Sequence, residues 1–270
     1  MNALNSRHCL KGESMQRFVI LMYHMISEPK TAAEIKYACP PKQFEQHLQM
    51  LLGAGFKPVS IRAIEDYYIH QTPLPDKAFL ITLDDGFEDN YSNAFPILKR
   101  LQIPAVIYVA TGLVGKTNQW MSTSTFSERK MLSWMQIKEM AGQGISFGSH
   151  TVSHPKLTEL GEGSVSKELV ESKQLIEEQL GMECSHFAYP YGLLTEKTRE
   201  LVQHAGFKTA CSTRSGFNNA ERDPLMLHRI EVYGDDSMWK LKQKIRFGMN
   251  DASWFFPLKY YLARLLARLG

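Results

Sequence analysis

Residues 78–83, Ala-Phe-Leu-Ile-Thr-Leu, form a short apolar run that stops abruptly at Asp84-Asp85-Gly86. A run of this length bounded by a turn signal reads as a buried strand. It does not alternate, so both of its faces must be covered, as in a parallel sheet flanked by helices. Ligands and catalysts in such folds collect at the carboxyl ends of the strands. Asp84 and Asp85 stand at one of those ends, and Gly86 lets the backbone turn away. Neighbouring strand residues point to opposite faces, which suits a glycosidase pair poorly because that pair must flank one bond. A division of labour fits better, with one carboxylate on a metal and the other acting as a base. An Asp-Gly turn that merely ends a strand carries the same pattern.

The rest of the chain alternates in the same way. Apolar runs predict strands over 18–22, 105–110, 144–149, 187–189, 207–211 and 226–232. Helical spacing predicts helices over 41–54, 93–101, 134–141, 164–180, 196–205 and 238–247, with Ser133 and Ser237 as N-caps and Gly181 as a stop. Alternation of this kind argues for an α/β wound sheet or barrel. A chain of 270 residues with 44% hydrophobic content can bury one large core. Residues 114–130, rich in Gly, Thr, Asn and Ser, read as a long loop over the strand ends, where function often lies.

The net charge of +3 is too slight to argue for nucleic acid, no basic run of the needed density is present, and no nucleic-acid partner is expected. Cys9, Cys39, Cys184 and Cys211 are scattered without CxxC or zinc-finger spacing and read as reduced thiols, with a disulfide as the alternative. Residues 1–16 read as a flexible segment without a signal-peptide core, and Met15 is a second candidate start. No stretch approaches the roughly 20 apolar residues of a membrane span. The expected location is therefore cytoplasmic. Residues 251–270 predict a basic amphipathic helix with Leu258, Tyr261, Leu262, Leu265 and Leu269 on one stripe. Such a helix suits peripheral contact with the inner face of a membrane, or docking on the domain beside it.

His150 and His154, four residues apart just past a strand, add metal chemistry. That spacing is one helical turn, so both imidazoles can face one ion. Two imidazoles and one strand-end carboxylate make a three-ligand set with open positions, as in hydrolytic zinc sites. A bound divalent ion would activate a water and polarise a carbonyl. The carboxylate left off the metal would take the proton, and a histidine would return one to the leaving amine. His228 and His24, each near a strand end, are the candidates for that acid. Tyr189-Pro190-Tyr191-Gly192 offers backbone amides for an oxyanion and rings for a sugar face.

Three segments carry a resemblance: Thr82-Leu83-Asp84-Asp85-Gly86, Ser149-His150-Thr151-Val152-Ser153-His154, and Phe187-Ala188-Tyr189-Pro190-Tyr191-Gly192. In this order they resemble successive motifs of the polysaccharide deacetylase family, the NodB-homology group or carbohydrate esterase family 4. The likeness runs from about Phe18 to Phe247, and Tyr23-His24 and Met131-Leu132-Ser133-Trp134 resemble its exopolysaccharide branch. It implies a distorted (β/α) barrel of about seven parallel strands over residues 17–250. It also implies Asp84 as base, Asp85, His150 and His154 as metal ligands, and the Tyr191 amide at the oxyanion. Many members carry an arginine two residues before the proline of the third motif. This chain has Ala188 there, so Arg229 is expected to orient the base from a neighbouring strand. His228, in Met226-Leu227-His228, is a loose match to the family's late histidine.

The expectation is a metal-dependent sugar N-deacetylase with Tyr189, Tyr191, Trp134 and His24 at the substrate. Zinc is the expected ion, although cobalt, nickel or iron suits the same ligands. The expected substrate is an acetylated amino-sugar glycan or its lipid- or nucleotide-linked precursor. A barrel that binds glycan without turnover in a polysaccharide-assembly complex, and a hydrolase of a non-sugar amide, are the alternatives.

Overall fold

The computed structural model describes residues 16–121 and 125–253. The amphipathic stripe expected over 258–269, the segment before residue 16 and Cys9 lie outside the described residues. Cys39, Cys184 and Cys211 are free and buried.

Seven parallel strands in one path, with a short eighth beside it, form a curled sheet wrapped by helices. In chain order the strands are β1 (Val19–Tyr23), β2 (Lys57–Pro58), β3 (Ala78–Leu83), β4 (Ala105–Val109), β5 (Ser146–Ser149), β6 (His186–Ala188), β7 (Thr209–Cys211) and β8 (Ile230–Glu231). Their spatial order is β7-β6-β5-β4-β3-β1-β8, with the two-residue β2 paired to β3 beside that path. β1 and β3 are in full register from Val19 opposite Phe79 to Tyr23 opposite Leu83. A single bridge between Cys211 and Leu227 joins the two ends of the sheet, so the curl closes along a thin seam.

The helices are α1 (Pro41–Gly53), α2 (Ile61–Ile69), α3 (Phe95–Leu101), α4 (Trp134–Ala141), α5 (Glu162–Leu180), α6 (Glu196–His204) and α7 (Met238–Phe247). Ser133 caps α4 in a reciprocal box with Gln136, Ser237 caps α7, and Gly181 ends α5 in the left-handed conformation. Alternation along each strand makes two cores. Leu21, Ile81 and Ile107 face the helices with Phe44, Ile137 and Leu169. Ile20, Leu80, Val106, Tyr108 and Leu227 face the inside of the curl.

Two expectations change. The helix α2 is not foreseen by the apolar spacing because its apolar face is short, yet Ile61 and Ile64 pack with Phe18 and Ala78 beneath the first strands. The strand expected over 226–232 shrinks to Ile230–Glu231. Its first part pairs with β7 at Leu227 and its second with β1 at Ile230, so the backbone bends between two partners.

Candidate metal centre and active-site cavity

The strand ends open into a cavity of about 390 Å³ lined by Asp84, Asp85, His150 and His154. Strand parity sets the first of these. Ile20 and Leu80 face inward, and the same parity carries to His24 and to Thr82 and Asp84. On the last strand it turns Leu227, Arg229 and Glu231 inward.

Arg229, fully buried, donates to both oxygens of Asp84 at 2.6 and 2.7 Å. Its remaining donors reach Ser212 O at 2.9 Å and Thr82 Oγ1 at 3.2 Å. The guanidinium thus crosses the interior beneath β1, which lies between β8 and β3, instead of arriving from an adjacent strand. Burial alone would raise the Asp84 carboxyl, but the Arg229 guanidinium outweighs it and holds the group below its ordinary range.

Asp85 turns out of the strand with φ of 73°, and Gly86 follows at 80°. A Cβ at Gly86 would lie 2.8 Å from Val109 Cγ1, so the turn has room only for glycine. Asp85 Oδ1 faces His150 Nε2 at 3.4 Å and His154 Nε2 at 3.3 Å. His150 Nδ1 lies 2.7 Å from Ala188 O, which can only accept. That contact assigns the proton to Nδ1, leaving the Nε2 lone pair of the neutral ring aimed at a carboxylate. With that ring neutral, two acceptors face each other, an arrangement that a cation between them would satisfy. The three ligand atoms lie within 4.8 Å of one another, and all three residues are buried. The donor set therefore fits a divalent ion, and an outer carbonyl orients one imidazole as metal-bound histidines require.

The two histidines do not share a helical turn. They sit on an irregular loop in which Thr151 and His154 have φ of 69° and 60°. Backbone of this kind is uncommon outside glycine, and most of all for β-branched threonine. Asp85, Thr151, His154 and Tyr191 account for four of the seven such residues described. Hydrogen bonds over-determine the loop. Thr151 N donates to Ser149 Oγ at 3.2 Å and His154 N to Thr151 Oγ1 at 3.0 Å. Glu168 on α5 accepts from Val152 N at 2.7 Å, Ser153 N at 2.9 Å and Ser153 Oγ at 2.6 Å. Little in the sequence singles out Glu168, whose one signal is a charge beside the apolar stripe of α5.

Tyr191 has φ of 59° and sets its half-exposed ring 4.7 Å from that of His154. Gly192 makes this turn feasible, since a Cβ there would collide with Thr213 Oγ1 at 2.0 Å. Tyr189 lines the cavity, but it is buried and its hydroxyl donates to Leu225 O at 3.1 Å, so it forms wall more than platform. His24 lines the cavity, edge-on to Tyr37 with ring centroids 5.2 Å apart. Trp120 and Phe126, both from the long loop, complete the rim, Trp120 lying 5.1 Å from the His154 ring.

Two expected site residues lie elsewhere. Trp134 opens α4 and packs partly buried on the outer core. His228 has the parity opposite to Arg229. Its Nδ1 sits where a Cβ on Gly216 would be, 2.1 Å away, and Asn218 holds its backbone N–H and carbonyl at 2.9 Å each. Burial and the nearby Arg222 and Arg214 push its pKa down to about 4. Neither residue lines the cavity.

Residues 71–210, just over half of the chain, match the family described as polysaccharide deacetylase. The chain belongs to that family, the NodB-homology group of carbohydrate esterase family 4. A poly-β-1,6-N-acetyl-D-glucosamine N-deacetylase of Staphylococcus aureus is 28% identical over 243 residues, covering 86% of this chain and 79% of its own. The Streptococcus pyogenes deacetylase PplD, solved in complex with acetate, superposes with a TM-score of 0.74 at 26% identity, covering 87% of this chain and 99% of its own. IcaB from Ammonifex degensii gives 0.74 at 28% identity, with 86% and 97% covered.

Proposed function

We propose that the protein is a metal-dependent hydrolase that removes N-acetyl groups from amino sugars of a polysaccharide. The observation that carries this reading is the buried Asp85-His150-His154 group beside an aspartate clamped by arginine, in one open cavity. Asp85, His150 and His154 would hold the ion, with zinc the first choice for two imidazoles and a carboxylate. When bound, such an ion supplies Lewis acidity to the acetyl carbonyl and acidity to a water.

The chain's own groups do the rest. Asp84, kept ionised and oriented by Arg229, takes the proton as water oxygen bonds to the acetyl carbon. The Tyr191 N–H, on its left-handed turn, donates to the oxyanion that develops. Collapse breaks the carbon–nitrogen bond, and His24 gives the amine its proton, leaving acetate and a free amino sugar. His24 takes this role over His228 because it lines the cavity. Trp120, Tyr37 and Tyr191 offer faces for a pyranose ring.

The name of the Staphylococcus aureus relative makes β-1,6-linked N-acetylglucosamine oligomers the first substrate to test, with lipid- and nucleotide-linked N-acetyl sugars beside them. Acetate release would be measured after chelation and after zinc is restored, with Asp84→Asn as control. Release that depends on zinc and disappears in the control is expected. Zinc binding with no release from any acetylated sugar would overturn the reading in favour of glycan binding or a non-sugar amide.

A further inference from the structure

The catalytic groups stand on strand ends, but the walls that would hold a sugar do not. Tyr37 comes from the chain after a 3-10 turn, Ala32–Lys36, and Trp120 and Phe126 from the loop 114–130. Among the described residues, one carboxylate gathers most of the bonds between these two segments. Glu34 is fully buried in the turn, although Ile35 beside it is exposed. It accepts from Ser127 N at 3.0 Å and from Ser127 Oγ, and pairs with Arg129 Nη2 at 2.5 Å. Arg129 donates onward to Ser27 Oγ at 3.1 Å and Glu28 O at 3.0 Å. Its own N–H donates to Asn118 Oδ1 at 2.8 Å, which ties the far limb of the loop to the same knot.

The knot sits against the aromatic wall. Phe126 precedes Ser127, and Tyr37 follows Glu34 by three residues, with the two rings 5.9 Å apart. A buried ion pair adds little net stability over an apolar pair of the same shape, so its effect here is geometric.

Resting on the deacetylase reading, we infer that Glu34 is the positioning residue of the glycan-binding cleft. Through Arg129 and Ser127 it sets how far the Tyr37 wall stands from the Trp120 and Phe126 wall, while Asp84 and the metal ligands are held independently from the strands. The bonds that fix the cleft wall are thus distinct from those that hold Asp84 and the metal ligands.

The test compares two substrates: an N-acetylglucosamine oligomer, which needs the cleft, and a small aryl acetate, which needs only the reacting groups. Glu34→Gln should raise KM for the oligomer about 10-fold with kcat within about 2-fold, and leave the aryl acetate within about 2-fold. Arg129→Lys, which keeps the charge without the fork, should fall between. An unchanged KM, or an equal loss of kcat on both substrates, would overturn the inference. Thermal melting shows whether each variant folds. Should Glu34→Gln not fold, Ser127→Ala is read instead, with a KM rise of about 2- to 3-fold expected and no rise refuting the inference. Failure of the deacetylase reading is distinguishable, because the wild type would then release no acetate. Quenching of tryptophan fluorescence by the oligomer would still report the cleft, weakened in Glu34→Gln by the same factor if the inference holds and equal to wild type if it fails.

Discussion

The floor and the rim of the cavity are built by different means. The floor is made by strands, whose period of two forces Asp84 and Arg229 inward and joins them across the interior. The rim is made by irregular chain between strands, where no ladder fixes the side chains and buried polar contacts such as Glu34–Arg129 do so instead. Reacting groups need to be held within fractions of an ångström, and the sheet supplies that. Recognition surfaces need to vary with the substrate, and loops tied by a few side chains can be re-cut without disturbing the floor.

The sharpest break in this contrast is at the floor. Arg229→Ala should lower kcat for acetate release by about 10²-fold or more and also destabilise the fold by about 3–5 kcal/mol, because a buried carboxylate loses its partner. Turnover equal to wild type would show that Asp84 does not depend on the guanidinium. Next comes the acid. His24→Gln should cost about 10² in kcat, whereas His228→Gln, on the opposite strand face, should stay within about 3-fold. The reverse order would return the role to His228.

Both of those effects concern elements whose nature is legible in the amino-acid sequence. The run 78–83 and the caps at Ser133 and Ser237 fall where local chemistry dictates, because each answers to its own neighbours. The same rule of two applies to Leu227-His228-Arg229, where an inward leucine implies an inward arginine and an outward histidine. A loose motif match pulls the other way, towards the histidine, which the structure places off the cavity. The metal pair His150 and His154 is readable as a pair but not as a loop, since left-handed Thr151 depends on Glu168 from a distant helix. Glu34 leaves no trace at all. A glutamate in a short irregular segment looks solvated until Arg129, far along the chain, folds over it.

At the rim the expected effects are smaller. Trp120→Ala should raise KM for a glycan oligomer about 10-fold with little change in kcat, as expected of a ring proposed to stack without reacting. Equal losses in both constants would place Trp120 with the floor, through its contact with His154.

The mildest test is acid stability. Burial would raise the Glu34 carboxyl, but hydrogen bonds from Arg129 and Ser127 bring it from 4.5 to about 2. A carboxyl depressed on folding stabilises the native state fully above its unfolded value. That contribution is lost as pH falls from about 4.5 towards 2. Wild type should therefore melt higher than Glu34→Gln at pH 7, with the gap closing by pH 2. A gap independent of pH would mean that the pair acts through shape alone.

Asp84 and Arg229 are 145 residues apart in sequence. During synthesis the third strand emerges with its carboxylate long before the guanidinium exists. The floor is consequently among the last parts of the molecule to mature, because it awaits the bend at Leu227 that also seals the seam of the barrel. The cavity floor and the closure of the sheet therefore depend on the same late stretch of chain, since Arg229 follows Leu227 by two residues.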